Sequence, residues 1–264
     1  MKNQWKDRLA VITGASSGIG EAIARKLAAQ GMQVVLVARR RERLETLAEE
    51  ISTGGGNARV LTADLRSEAD RVRLLAETGA ADVLVNNAGF CWYGYSSEMS
   101  WKTALEMLQV NVETVVQLSL SFLSGMRRRN SGHIINIGSI SGSLPSQGIA
   151  LYGATKSFLD NFTTALHREL AGTRVHVSVV RAGPVKTEFG EAALRQENGL
   201  HVPTEKMGVT ADIVAERIWE LIRRPRRLVY IPFYLRLIPW LELSFGWIID
   251  RLGPLLLKRQ KILP

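Results

Sequence analysis

"LAVITGASSGIG", residues 9–20, decides how the rest of the chain is read. Its first half is a short apolar run that stops at a glycine. Its second half sets Gly14, Gly18 and Gly20 immediately ahead of a helical pattern over 18–30. A strand that becomes a helix across clustered glycines makes a phosphate-binding turn. Gly14 lets the chain reverse sharply, Gly18 and Gly20 let a pyrophosphate reach the backbone and the helix pack on the sheet, and the free N–H groups of the helix N-terminus attract an anion. Ser16, Ser17 and Ile19 complete that turn. The spacing is G-x-x-x-G-x-G rather than G-x-G-x-x-G. The position after a first strand and before a first helix therefore carries the reading more than the glycine count does.

Strand-like and helix-like stretches then alternate along the chain. Apolar runs at 9–14, 33–38, 58–63, 82–87, 133–139, 174–180 and 227–232 are separated by helical patterns at 18–30, 41–51, 67–77, 101–128, 150–170 and 210–223. Continuous Val, Ile and Leu suit strands covered on both faces. The alternation predicts an α/β fold, a doubly wound parallel sheet with helices on both sides. One domain is expected over 1–232, followed by a C-terminal extension over 233–264.

Bulk properties narrow the classes. Of 264 residues, 46% are hydrophobic, enough for a sizeable core. The lone cysteine, Cys91, excludes an intrachain disulfide, and a reducing, cytoplasmic setting fits. Cys91 has no paired base and reads as inert. His133, His167, His176 and His201 form no ligand cluster, so no metal is expected. The net charge of +9 sits at one end: from Arg223 onward nine Lys or Arg face only Glu242 and Asp250. A nucleic-acid-binding body would spread or stripe its charge, so no nucleic-acid partner is expected.

The second strand runs into "VARRRER", 37–43. Folds that select NAD place an acid here for the ribose 2′-OH. This chain has Arg39 and Arg40 instead, whose guanidinium groups suit a 2′-phosphate. NADP(H) is the expected cofactor, with NAD the alternative.

Tyr152 and Lys156, in "LYGATK", lie one helical turn apart. A lysine cation about 5 Å from a phenolate, at an effective dielectric near 20, is worth roughly 3 kcal/mol. That is about two pKa units, enough to bring a phenol towards neutrality for acid–base work. Ser139 ends the fifth strand, at the sheet edge where α/β ligands bind. Asn111 sits inside the long helix, a poor place for asparagine, and marks a local irregularity able to hold a water linked to Lys156. Taken singly, each has a plain structural role: a core aromatic, a turn serine, a surface amide.

Together, "TGASSGIG", "NNAG" (86–89), Asn111, Ser139 and "YGATK" resemble the short-chain dehydrogenase/reductase superfamily, in order and spacing over about residues 8–232. The resemblance implies a Rossmann-type sheet of about seven strands and a nicotinamide cofactor. It implies that Tyr152 exchanges the proton, Lys156 holds the nicotinamide ribose and lowers the tyrosine pKa, Ser139 positions substrate and Asn111 completes a relay. It places Asp64 and Leu65 at the adenine, Asn87, Ala88 and Gly89 on the cofactor floor, and Gly183, Pro184, Val185 and Thr187 around the nicotinamide. Two departures stand out. Ala182 replaces a proline, which should loosen its loop, and the segment between Asp64 and "NNAG" is short, which should trim an outer helix.

"FCWYGY" (90–95) and the uncharged "GSLPSQGIAL" (142–151) point to an apolar carbonyl or alcohol of ketoacyl, steroid or retinoid type, if they line the pocket rather than pack the core or a dimer interface. Residues 188–209 read as a lid. The expected assembly is a homodimer or homotetramer. In the tail, 20 of the residues 228–257 are hydrophobic, Trp240 and Trp247 among them, yet no run reaches the length of a bilayer span. Glu242, Gly246 and Asp250 form a narrow polar stripe. A helix lying on a membrane surface, a subunit contact and a pocket roof all fit. A non-catalytic nucleotide-binding regulator or a membrane-surface scaffold is the alternative to an enzyme, but neither needs Tyr152.

Overall fold

The structure, a computed structural model, describes residues 5–200 and 208–260, apart from the side chains of 253–260. His201 and part of the expected lid lie outside the described residues. Seven strands form one parallel sheet: β1 (Leu9–Thr13), β2 (Gln33–Ala38), β3 (Asn57–Thr62), β4 (Val83–Asn86), β5 (Gly132–Ser139), β6 (Val175–Ala182) and, last in the chain, β9 (Leu228–Ile231). Their order is β3-β2-β1-β4-β5-β6-β9. Two-residue strands β7 (Val185–Lys186) and β8 (Val209–Thr210) pair separately and bracket the lid stretch. Nothing in their short sequences signalled them.

Period-two burial explains why the sheet is covered twice. Ala10, Ile12, Val34, Leu36, Val83 and Val85 point to one side, where α1 (Gly18–Ala29), α2 (Arg41–Thr53) and α8 (Ala211–Arg223) contribute Leu27, Leu44, Ile218 and Trp219. Val11, Val35, Val37, Leu84 and Ile134 point to the other. There α3 (Glu68–Thr78), α5 (Thr114–Arg128) and α6 (Ala150–Glu169) supply Leu74, Leu118, Phe122, Met126 and Leu166. Strand order reverses between β1 and β4, so the loops after these two strands part and open a crevice at their carboxyl ends.

The long helix over 101–128 is broken, as Asn111 suggested. α4 (Trp101–Leu108) passes into a π-turn over Gln109–Glu113 before α5 begins. The Thr114 hydroxyl donates to the Gln109 carbonyl at 2.8 Å, holding the widened turn. A short α7 (Phe189–Leu194) starts the lid stretch. Ala182 is buried as the last residue of β6, in register with both Ser139 and Ile231.

After β9, a tight turn over Phe233–Leu237 leads into α9 (Ile238–Gln260). The polar stripe divides: Glu242 and Gly246 are half-buried, whereas Asp250 faces solvent. Gln147 ties the helix to the body by donating to the Ile249 carbonyl at 3.2 Å. Around that seam the helix exposes Trp240 (71%), Leu243 (82%) and Trp247 (62%). Among the described residues, no helix is long and apolar enough to cross a membrane.

Candidate active site

The phosphate turn has the shape its glycines imply. Gly14 and Gly18 have φ of 67° and 59°, backbone that L side chains rarely adopt. A Cβ on Gly14 would lie 2.9 Å from Ala88 Cα, and one on Gly20 would lie 2.3 Å from the Gly14 carbonyl oxygen. Asn87 closes the other wall: its Nδ2 donates to the Thr13 carbonyl at 2.9 Å, and its backbone N–H, with that of Ala88, donates to Thr13 Oγ1. That threonine hydroxyl binds the two crevice walls together, and motif reading had passed over it. Ser17 caps α1 with its backbone alone, because its hydroxyl oxygen accepts from Arg40 Nη2 instead. The first-turn N–H groups are thus spared a side-chain cap, a donor set that fits a pyrophosphate.

Of the arginines after β2, Arg40 and Arg43 come together, while Arg39 stands apart. Arg40 is held against the turn through Ser16 Oγ (3.0 Å) and Ser17 Oγ (2.5 Å). Its companion is Arg43, in the first turn of α2, and both reach Glu188. Arg39 is exposed and acts on Asp64 only through its charge. Asp64 follows β3, where Arg66 grips both its oxygens and holds the carboxyl below the usual carboxylate range. The buried Arg71 donates to the Leu65 carbonyl at 2.8 Å and pins this segment from behind.

At the opposite end of the crevice the four candidate residues converge. Tyr152 and Lys156 share one face of α6, with the lysine Nζ 5.6 Å from the phenol ring centre. The Tyr152 phenol faces Ser139 closely enough to feel its hydroxyl, and Ser139 Oγ accepts from the Ser141 backbone N–H at 3.1 Å. Lys156 Nζ donates to the Ile137 carbonyl at 2.8 Å. Asn111 ties the π-turn to the floor: it donates to the Phe90 carbonyl and to Thr155 Oγ1, and accepts from the Phe90 N–H. Gly89 sits between these groups, since a Cβ there would lie 3.0 Å from Asn111 Oδ1 and 3.7 Å from Lys156 Nζ.

Burial dominates the electrostatics of the two groups. It pushes the Tyr152 phenol up, beyond what the Ser139 hydroxyl recovers. Burial also pushes Lys156 down to about 8, against the pull of Asp160. Desolvation disfavours the charged form of the buried phenol, and the neighbouring Cys91 adds to that effect. Asp160, unremarked in the sequence, is one helical turn beyond Lys156 and is itself paired with Arg181 at 2.9 Å.

The aromatic stretch is mainly wall. Trp92 and Tyr93 are buried, and Trp92 packs with Cys91, Met107 and Tyr152. The loop is stitched to the lid by Trp92 Nε1 donating to the Glu197 carbonyl and Leu200 N–H donating to the Tyr93 carbonyl. Phe189, the first residue of α7, lies against the Tyr152 ring with centres 5.9 Å apart. The thiol of Cys91 is pushed up to about 12 by burial, matching its inert reading.

This crevice, sheet order and residue set define a class, and residues 8–198 match the short chain dehydrogenase family. The chain belongs to that family and is one of its oxidoreductases. Among curated relatives, the NADP-dependent 3-hydroxy acid dehydrogenase YdfG of Escherichia coli K12 is 36% identical over 222 residues, covering 80% of this chain and 87% of that protein. An uncharacterized oxidoreductase of Staphylococcus epidermidis, SERP2049, is 37% identical over 190 residues, covering 70% and 81%. Among solved structures, a serine dehydrogenase in its closed form with NADP+ superposes with a TM-score of 0.76 at 32% identity, covering 84% of this chain and 93% of that one. A Sphingobium yanoikuyae short-chain dehydrogenase in complex with NADPH gives 0.80 at 28%, covering 90% and 93%.

Proposed function

We propose that the protein is an NADP(H)-dependent oxidoreductase that interconverts a ketone and a secondary alcohol on an uncharged, largely apolar substrate. The convergence of Ser139, Tyr152 and Lys156 beside Gly89, in the crevice that begins at the glycine turn, carries this reading. Arg40 and Arg43 would hold the 2′-phosphate, the N-terminus of α1 the pyrophosphate, and Val185 and Thr187 the nicotinamide end. Bound there, the nicotinamide supplies or accepts the hydride.

The remaining steps belong to the protein. Ser139 and Tyr152 hydrogen-bond the substrate oxygen and fix its carbon against the cofactor. In reduction the phenol gives its proton to the oxygen as negative charge develops there. A phenol held neutral by burial is primed as an acid, and Lys156, close to its own titration range, stabilises the phenolate that results. Asn111, anchored to Phe90 and Thr155, keeps the π-turn open beside the lysine. The apolar wall of Cys91, Trp92, Ile149 and Leu151, with Phe189 over the ring, favours an uncharged substrate.

A panel of ketones, 3-oxoacyl esters and free 3-oxo acids, followed by NADPH oxidation, tests this reading, with Tyr152→Phe as control. Turnover confined to the free acids would overturn the apolar assignment. Activity untouched in the variant would overturn the mechanism.

A second reading concerns where the enzyme works. We infer that α9 lies on an anionic lipid surface. Its exposed tryptophans and leucines give the apolar side, while Arg236 and Arg251, with Arg223, Arg224 and Arg226 around a nearby cleft of about 400 Å³ beside Phe233, give the positive one. Vesicle flotation of the full chain with and without phosphatidylserine tests it. A chain that stays unbound in both, or that elutes as a salt-stable dimer covering the helix, removes the membrane assignment.

A further inference from the structure

Glu188 stands between Thr187 and Phe189, immediately before α7, and 145 residues beyond Arg43. Its carboxylate nevertheless occupies the arginine fork. It accepts from Arg40 Nη1 at 3.0 Å and, through both oxygens, from Arg43 Nη1 at 2.8 Å. The two guanidinium groups hold its carboxyl below the usual range. These are the N–H donors that, on the NADP(H) reading, receive the 2′-phosphate.

We propose that Glu188 is an internal stand-in for that phosphate: it fills the Arg40–Arg43 fork in the free protein, and NADP(H) binds by displacing it whereas NAD(H) leaves it in place. Carboxylate and phosphate seek the same fork of donors, so only one can hold it at full strength. The Glu188 pairs are exposed on both sides, with side chains 42–49% accessible, so each is weak and a phosphate dianion outcompetes them. A 2′-hydroxyl carries no charge with which to evict a carboxylate. Phe189, the next residue, covers the Tyr152 ring. Displacement at the fork therefore acts on the residue adjoining the cap over the reacting phenol.

This inference rests on the NADP(H) reading, and one experiment separates the two. NADPH and NADH are titrated into the full-length protein, followed by energy transfer from protein tryptophan to the reduced nicotinamide, for wild type, Glu188→Gln, Arg40→Gln/Arg43→Gln and the triple variant. Glu188→Gln is expected to tighten NADPH by about three- to tenfold, the scale of two exposed ion pairs, and to move NADH by less than about twofold. The gain should vanish in the background lacking both arginines. Glu188→Gln binding NADPH more weakly or equally, or shifting both cofactors alike, overturns the stand-in while the fork survives. An arginine double variant that binds NADPH as wild type does overturns the fork and the stand-in together. Glu188→Ala repeats the test should the glutamine variant fail to fold.

Discussion

The sheet and α9 draw on the same side chains to opposite ends. In the sheet, Val, Leu and Ile vanish between helices, and Leu36 has no exposed surface. In α9, Leu243 (82%) and Trp240 (71%) stand mostly in solvent. The difference lies in pattern rather than composition. A strand covered on both faces can bury every side chain, whereas a helix seated along one seam buries only the residues facing it. In α9 that seam carries Glu242 and Gly246, and the apolar residues are turned away. The body exposes its large apolar side chains singly, such as Trp101 and Val72, whereas the extension gathers them on one helix.

The sharpest way to break this contrast is chemical. If the body alone is the catalyst, Tyr152→Phe lowers turnover by about 10²–10⁴-fold. NADPH affinity should hardly change, and steady-state rates with tryptophan-quenching titrations check both. Tail substitutions should leave turnover of a water-soluble ketone intact.

Next comes stability. Leu36→Ala is expected to cost about 2–5 kcal/mol by opening a cavity. Leu243→Ala should stay within about 0.5 kcal/mol because nothing packs on it. Urea unfolding of both variants measures the contrast directly, and a large loss at Leu243 would show that a partner already covers it.

On vesicles the order reverses. Trp240→Glu with Trp247→Glu should cut partition to phosphatidylserine membranes tenfold or more, on the scale of losing about 1.5–3 kcal/mol of apolar burial per side chain. Leu36→Ala should not affect the partition of folded protein.

A further contrast is in pH. His133 is buried in β5 with its Nε2 against Ser178 Oγ, and burial pushes it from 6.5 down to about 3. The unfolded chain takes up that proton first, so the native state loses stability as pH falls from about 6.5 towards 3, by up to about 1.4 kcal/mol per unit. Denaturant midpoints across that range should show the loss, and His133→Gln should remove one proton's worth of it.

Much of this was legible without coordinates, because it is local. Seven apolar runs, the helical patterns between them, the glycines after β1 and the misplaced Asn111 each report on backbone dihedrals or side-chain period within a few residues, and all appear where expected. Tyr152 and Lys156 were visible as a pair for the same reason: four residues on a helix share a face. What escaped depends on distance in space. Arg43 and Glu188 meet across 145 residues, the Thr13 hydroxyl joins two strands, and β7 with β8 is too short to leave a pattern.

Most telling is the phenol. Sequence alone singled out Tyr152 and Lys156 as the groups to examine. Only the tertiary structure decided how deeply Tyr152 is buried, and that burial pushes its phenol up. Desolvation is a property of everything packed around a group, and no short stretch of chain encodes it.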